Sequence, residues 1–535
     1  MTTTWTKDTL TLRAPDGTHF ERGAFDDFDG DGKRDAFCVV RSFASSKTFD
    51  ALYFSGASPD TPVRIFGAEL LMLPKGAGRH TLLRVGPPEA RRFSLELSAE
   101  PSAAFAETRR FAFLEIVKGI PRVRMALTIT DPPGAPKLDL AVDAVDRDGD
   151  TVPDVTMLLS VQGGGEPGSS LSSKIAFLDR PAGLARDADE PRASIATHVK
   201  VALAKSSKAK ESAEAVALVG RVQALLRATC PELPGARLSR FEGVTEPTCS
   251  LRDVLDDLSV AEVRGYAQSN RPFSAAAAFA RFRGPFVARS PEKVREAEKA
   301  LDLVAKITAP REVRPLSATV AVPKRHVPSW SPLSFTSKGE LDVATATRVV
   351  RVDTKSFEER DLEESPWTSG VLSADGETRL VEVYDACKGG PLRATFAPKE
   401  EGEPHDVEVP VEPALLPPCT SSRGEPAEVV PVGWGPRGLS LFAAGEPVLF
   451  DPKLTKASLL TEPVEGPWVR GGPRSPDGKT IALATSAGVI VHGPSGTSRV
   501  RGPGFADDVR ACTVNDGASA LACLVGGRAV LAILR

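Results

Sequence analysis

The chain has 535 residues, with 67 Lys and Arg against 70 Asp and Glu and a formal net charge of -3. That balance gives no general excess of positive charge to hold a phosphate backbone, so nucleic acid is not an expected partner. The length calls for roughly three to four domains. Gly and Pro number 45 each against four Met and three Tyr, which favours short strands and many turns, hence a mainly β, multidomain protein.

In chain order, residues 1–192 read as a duplicated β region. In the first copy Phe25 to Asp35 leads into the apolar run Ala36-Phe37-Cys38-Val39-Val40, and a strand Ala51 to Phe54 follows. In the second, Val145 to Asp154 leads into Val155 to Val161, and Ile175 to Leu178 follows. Between the copies the alternating segment Arg122 to Thr130 reads as a further half-buried strand.

The loops themselves carry chemistry. Asp27, Asp29 and Asp31 alternate, Gly32 permits a sharp bend, and Asp35 closes the set at the ninth position. Calcium takes about six to eight hard oxygen ligands, and alternation around a tight loop turns carboxylates inward, with the Lys33 backbone carbonyl expected to add another. An EF-hand would need a bidentate Glu at position twelve, which is Cys38 here, so that reading fails. The second loop offers Asp146, Asp148, Asp150 and Asp154, but Thr151 replaces the bending glycine and Pro153 precedes the last acid. The pattern Asp-x-Asp-x-Asp-Gly-x-x-Asp resembles the integrin-type FG-GAP repeat, also known as the VCBS repeat of bacterial secreted proteins. The resemblance implies Ca2+ held in β-hairpin loops by these aspartates; the competing reading is a pair of solvated acidic turns.

Residues 193–310 change period. Val216, Val219, Val222, Leu225 and Leu226 fall on one helical face, as do Val294, Leu301 and Val304, and predict an α-helical region. Ala261 to Phe282 reads as a helical hairpin. Ser290-Pro291-Glu292 supplies a cap, a first-turn proline and an acid at the positive end of the dipole. The short cluster Lys205, Lys208 and Lys210 reads as the start of a helix.

From 311 to 535 strands return with a recurring turn: Gly339, Gly376, Gly438, Gly478 and Gly517 are 37, 62, 40 and 39 residues apart. Such a period is that of one propeller blade of four short strands, which predicts a β-propeller of about five blades. Trp330, Trp367, Trp434 and Trp468 each precede one of these turns. The segment Ser475-Pro476-Asp477-Gly478 before the apolar Ile481 to Ala484 resembles WD-like and Tol-system periplasmic propeller repeats, a resemblance that implies a fold rather than an activity.

Six of seven cysteines form neighbouring pairs, Cys230 with Cys249, Cys387 with Cys419 and Cys512 with Cys523, while Cys38 reads as a buried free thiol. Local disulfides suit a periplasmic or extracellular protein; seven reduced thiols in a cytoplasmic one is the alternative. No CxxC or HxxxH spacing points to zinc. The N-terminus as written has neither a basic segment nor an apolar one, and no run reaches about 18 apolar residues, so no membrane span is expected.

No Gly-x-Ser-x-Gly elbow, HExxH pair or phosphate loop occurs, and His19, His80, His198, His326, His405 and His492 are scattered. The sequence therefore predicts a calcium-stabilised binding scaffold for a protein or glycan partner, without catalysis of its own. Two alternatives stay open: a hydrolase or lyase with a dispersed site in the propeller channel, and a purely structural envelope protein.

Overall fold

Alternating and continuous apolar runs form strands throughout the chain, and a computed structural model shows how they pair. It describes residues 3–534 outside 70–76, 100–106, 132–137, 162–170, 246–250, 321–331, 364–370, 373–377, 386–391, 411–424, 461–471, 503–508 and shorter stretches of one to three residues. The described residues form 36 β-strands and five α-helices, so the protein is mainly β. It divides into two compact units. One comprises Met1–Lys200 and Arg221–Leu255, the other Val201–Gly220, Asp256–Ala386 and Pro391–Arg535.

The first unit contains three four-stranded antiparallel meanders. Thr18–Asp26, Asp35–Ser42, Thr48–Ser55 and Ser58–Glu69 make the first sheet; Ala77–Arg84, Arg92–Ala99, Glu107–Val117 and Ile120–Asp131 make the second. The third runs through Leu138–Val145, Asp154–Val161, Leu171–Arg180 and Gly183–Arg186, and Val244–Thr245 adds in parallel. The duplication expected from sequence is thus three sheets, with the Arg122 to Thr130 segment inside the last strand of the middle one. Residues Asp35 to Val40 are buried without alternation, because the strand is covered on both faces. Phe37, Val39 and Tyr53 pack with Phe93, Leu95 and Leu114 of the middle sheet. On the opposite face Cys38, Val40 and Phe54 pack with Leu10, Leu12 and Phe20. Each such apolar side chain contributes about 1.5–3 kcal/mol by leaving water, and this two-sided core fixes the end of the strand that Asp35 begins.

The helices are α1 (Glu190–Ser206), α2 (Ser212–Thr229), α3 (Arg252–Gln268), α4 (Pro272–Phe286) and α5 (Pro291–Leu301). All five apolar positions read onto one face of α2 are buried. The expected hairpin is α3 and α4, which reverse at Asn270 with φ of 55°. Helix α5 starts where predicted, with Pro291 in its first turn, but the Ser290 hydroxyl makes no cap: it donates to Asp256 Oδ2 at 2.9 Å. Lys205 corrects another expectation. It closes α1 rather than opening a helix, since a cation is favoured at the negative end of the dipole, and it pairs with Glu214. Lys210 lies outside the described residues.

Five sheets follow in the second unit, four of them four-stranded and one, which Glu425–Pro426 joins, five-stranded; their pairings are antiparallel except where Lys306–Thr308 adds in parallel. Beyond residue 320 their first strands are Leu333–Phe335, Val371–Leu372, Val429–Gly435, Ile481–Thr485, which an isolated bridge from Arg474 precedes, and Val509–Val514. The predicted turns at Gly339, Gly438, Gly478 and Gly517 all lead into the next strand with positive φ, between 72° and 118°, a backbone region where glycine avoids the Cβ clash. Gly376 lies outside the described residues, as do Trp330, Trp367 and Trp468. The outer strands of the last two sheets come from earlier in the chain: Lys306–Thr308 pairs with Gly496–Val500, and Glu312–Pro315 with Arg528–Ile533. Leu333, Phe335 and Val343 of the first of these sheets pack with Ala522 and Leu531 of the last. No described helix is long and apolar enough to cross a membrane.

Candidate metal centre

Both aspartate loops occupy the same place in their sheets, the connection from first strand to second. In the first loop the chain folds around its own carboxylates. Asp27 Oδ1 accepts from the Gly30 and Asp31 N–H groups at 2.7 and 3.1 Å, and Asp27 Oδ2 from Gly32 at 3.0 Å. Asp29 Oδ1 accepts from Asp31 at 3.1 Å, and Asp31 Oδ1 from Lys33 at 2.7 Å. Fully buried Asp35 closes the loop from behind: its Oδ2 accepts from Phe28 and Asp29, and its Oδ1 reaches across to Gly56 N–H at 2.8 Å. Gly30 and Gly32 both take positive φ, 74° and 83°. Asx bonds of this kind, with left-handed glycines between them, are how a short acidic segment turns sharply.

The fold thereby gathers Asp27, Asp29 and Asp35, each offering a carboxylate oxygen within 4.8 Å of the others. Asp31 stands at the exposed rim, outside that set, and Lys33 is exposed with its N–H spent on Asp31. Among the described residues no cationic side chain pairs with Asp27, Asp29, Asp31 or Asp35. Burial, then the charges of Asp35, Asp31 and Asp27, hold the Asp29 carboxyl above its ordinary range despite the Asp31 N–H bond. Three acids at this separation repel one another unless a proton or cation intervenes.

Tyr53, which sequence reasoning passed over, stands behind the loop. Its fully buried hydroxyl makes no well-formed hydrogen bond, although it lies close enough to Asp35 to interact with that carboxylate. Burial, followed by the charge of Asp35, hydrogen bonding toward that carboxylate and then the charges of Asp29 and Asp31, pushes its ionisation upward. No local pattern marks a strand tyrosine that lies 18 residues beyond the last loop acid.

The second loop repeats the scheme with different surroundings. Gly149 N–H donates to Asp146 Oδ1 at 2.8 Å, Val152 N–H to Asp150 Oδ1 at 2.8 Å, and Arg147 N–H to Asp154 Oδ2 at 3.0 Å. Asp154 is fully buried and takes Asp179 N–H on Oδ1 at 2.8 Å, as Asp35 takes Gly56. Asp146, Asp148 and Asp154 again come within 4.8 Å, with Asp150 outside the set. Here, however, Asp146 and Asp148 are exposed, and Arg180 donates to Asp148 Oδ2 at 2.6 Å. Beneath this loop a buried ionic network joins the sheets. Arg92 reaches the Pro153 carbonyl at 2.6 Å and Asp179 at 2.9 Å, while Arg124 bonds Glu115 and Asp179.

Elsewhere, Cys512 and Cys523 form a disulfide between adjacent strands. Cys230 is disulfide-bonded, and its expected partner Cys249 lies outside the described residues, as do Cys387 and Cys419. Cys38 is a free thiol, and burial pushes its pKa up to about 12. Three of the histidines have local partners: His19 meets Glu21, His405 the Leu454 carbonyl and His492 the Thr497 hydroxyl. Comparison with known protein families and with curated proteins returned no match.

Proposed function

We propose that this protein is an exported, calcium-stabilised binding scaffold, with its principal cation site in the loop Asp27–Asp35. The observation that carries this reading is the convergence of Asp27, Asp29 and Asp35, none of them in a salt bridge among the described residues although the Arg91 guanidinium lies against Gly30. A hard divalent ion with oxygen ligands relieves that repulsion, and the peripheral Asp31 carboxylate and the Lys33 carbonyl extend the oxygen set. The ion would fasten the first and second strands of a sheet whose two faces are already packed, a stabilising role rather than a catalytic one. The five sheets of the second unit are read as successive propeller blades. The supply of outer strands from residues 306–308 and 312–315 to the last two sheets supports a closed ring. The disulfide Cys512–Cys523 supports a location in an oxidising compartment. A ring of blades presents loops suited to a protein or glycan partner.

Thermal unfolding in calcium, in magnesium and in chelator tests the core of this reading. Calcium raises the melting temperature above that in chelator by mass action on the folded state; unchanged melting in all three overturns it.

A further inference from the structure

We propose that Arg180 is a built-in cation that occupies the second aspartate loop in place of a metal ion, so that calcium enters the second loop only when this guanidinium is removed. The inference rests on the calcium reading of the first loop. It begins with the correspondence between the loops. Asp35 Oδ1 accepts from Gly56 N–H and Asp154 Oδ1 accepts from Asp179 N–H, so Gly56 and Asp179 are equivalent positions. The next residue is Ala57 in one case and Arg180 in the other. Ala57 is exposed and ends at Cβ, leaving the first loop's carboxylates without a cation from that position. Arg180 lays its Nη1 on Asp148 Oδ2 at 2.6 Å and within 4.0 Å of Asp150 Oδ2.

Asp148 is the counterpart of Asp29, and both of its oxygens are engaged, since Oδ1 accepts from Asp150 N–H at 3.3 Å. A divalent ion at the second triad must therefore take Asp148 from a guanidinium already bonded to it. Arg180 is 42% exposed at its side chain, so its departure uncovers no core. Besides Thr151 and Pro153, the second loop thus differs from the first in having a guanidinium bonded to its second acid, and that bond is the feature which keeps a metal ion out. Arginine suits the task because its guanidinium stays charged at every physiological pH and presents several donors to oxygen.

Calcium titration calorimetry on the full chain separates this inference from the reading beneath it. Wild type is expected to bind one calcium, lost in Asp29→Asn. Arg180→Gln is expected to bind two, the second lost in Arg180→Gln combined with Asp148→Asn, while Arg180→Lys, which keeps the charge, stays at one. The reciprocal change Ala57→Arg is expected to lose the first site. Circular dichroism confirms that each variant is folded. One calcium in wild type and still one in Arg180→Gln overturns the role of Arg180 and leaves the first-loop reading standing. Two sites in wild type, or a second site in Arg180→Lys, also overturns that role. No calcium in wild type or in Arg180→Gln overturns both.

Discussion

Substituting Asp29 by Asn is expected to act in opposite directions on the metal-free and metal-bound protein. Asp29 is 5% exposed and lies within 4.8 Å of carboxylate oxygens from Asp27 and Asp35. Two unit charges at that distance repel by about 3.5 kcal/mol at an effective dielectric of about 20. Charge spread over two oxygens lowers this, so removing one carboxylate stabilises the metal-free loop by about 1–3 kcal/mol. Asn keeps an oxygen to accept the Asp31 N–H, so the turn itself survives. With calcium at about a hundredfold excess over its dissociation constant, wild type gains about 2.7 kcal/mol, or about 5–11 °C in melting temperature for a unit of this size. If losing one anionic ligand weakens binding about a hundredfold, the gain shrinks to about 0.4 kcal/mol. Calorimetric scans of both proteins in chelator and in calcium measure the four quantities. A variant less stable than wild type in chelator refutes the repulsion argument. An unchanged calcium increment refutes Asp29 as a ligand.

Three further outcomes follow from buried groups. The Cys38 thiol, pushed up to about 12 by burial, should resist iodoacetamide at neutral pH until the protein is denatured, because the thiolate is the reactive form; mass spectrometry after labelling reads this directly. Replacing Cys512 and Cys523 together by Ala opens a bridge between residues 11 apart and is expected to cost about 3 kcal/mol, read by denaturant unfolding against reduced and oxidised wild type. Tyr53→Phe removes a buried hydroxyl that makes no well-formed hydrogen bond and meets Asp35, so in chelator it should stay within about 1 kcal/mol of wild type or exceed it, while a loss of several kcal/mol would show that the hydroxyl is firmly bonded to Asp35.

The loop backbone was legible because Asp and Gly at fixed offsets leave few ways to turn. Alternation and the glycine period likewise foretold strands and the repeated placement of turns in the second unit. The middle sheet of the first unit escaped because the connection between its first two strands, ending at Arg91, carries no aspartate signature. Its strand Glu107–Val117 then looks like any apolar run. Arg180 and Tyr53 escaped for a different reason: strand pairing brings them to the loops from 26 and 18 residues beyond the last acid, and no periodicity encodes that approach. Ser290 shows the limit of local rules, since its capping position is filled while its hydroxyl is drawn to Asp256.

The last acid of each loop differs in kind from the others, and this gives a prediction independent of any metal. Asp35 has no solvent exposure and accepts three backbone N–H groups, from Phe28, Asp29 and Gly56. Asp35→Ala leaves those donors buried and unpaired, at about 1–3 kcal/mol each before relaxation, and also frees the turn at Gly56 from the loop it braces. The expected loss is about 3 kcal/mol or more in chelator, where Asp29→Asn gains stability. Asp154→Ala is expected to lose less, because Asp154 accepts from two amides, Arg147 and Asp179. Hydrogen exchange at Gly56 reports the local opening directly. If Asp35→Ala matches Asp29→Asn in chelator and Gly56 keeps its protection, the buried carboxylate is not what holds the loop to the strand behind it. If Gly56 loses protection in chelator, the loop's shape belongs to Asp35 and its affinity for a cation to the acids in front.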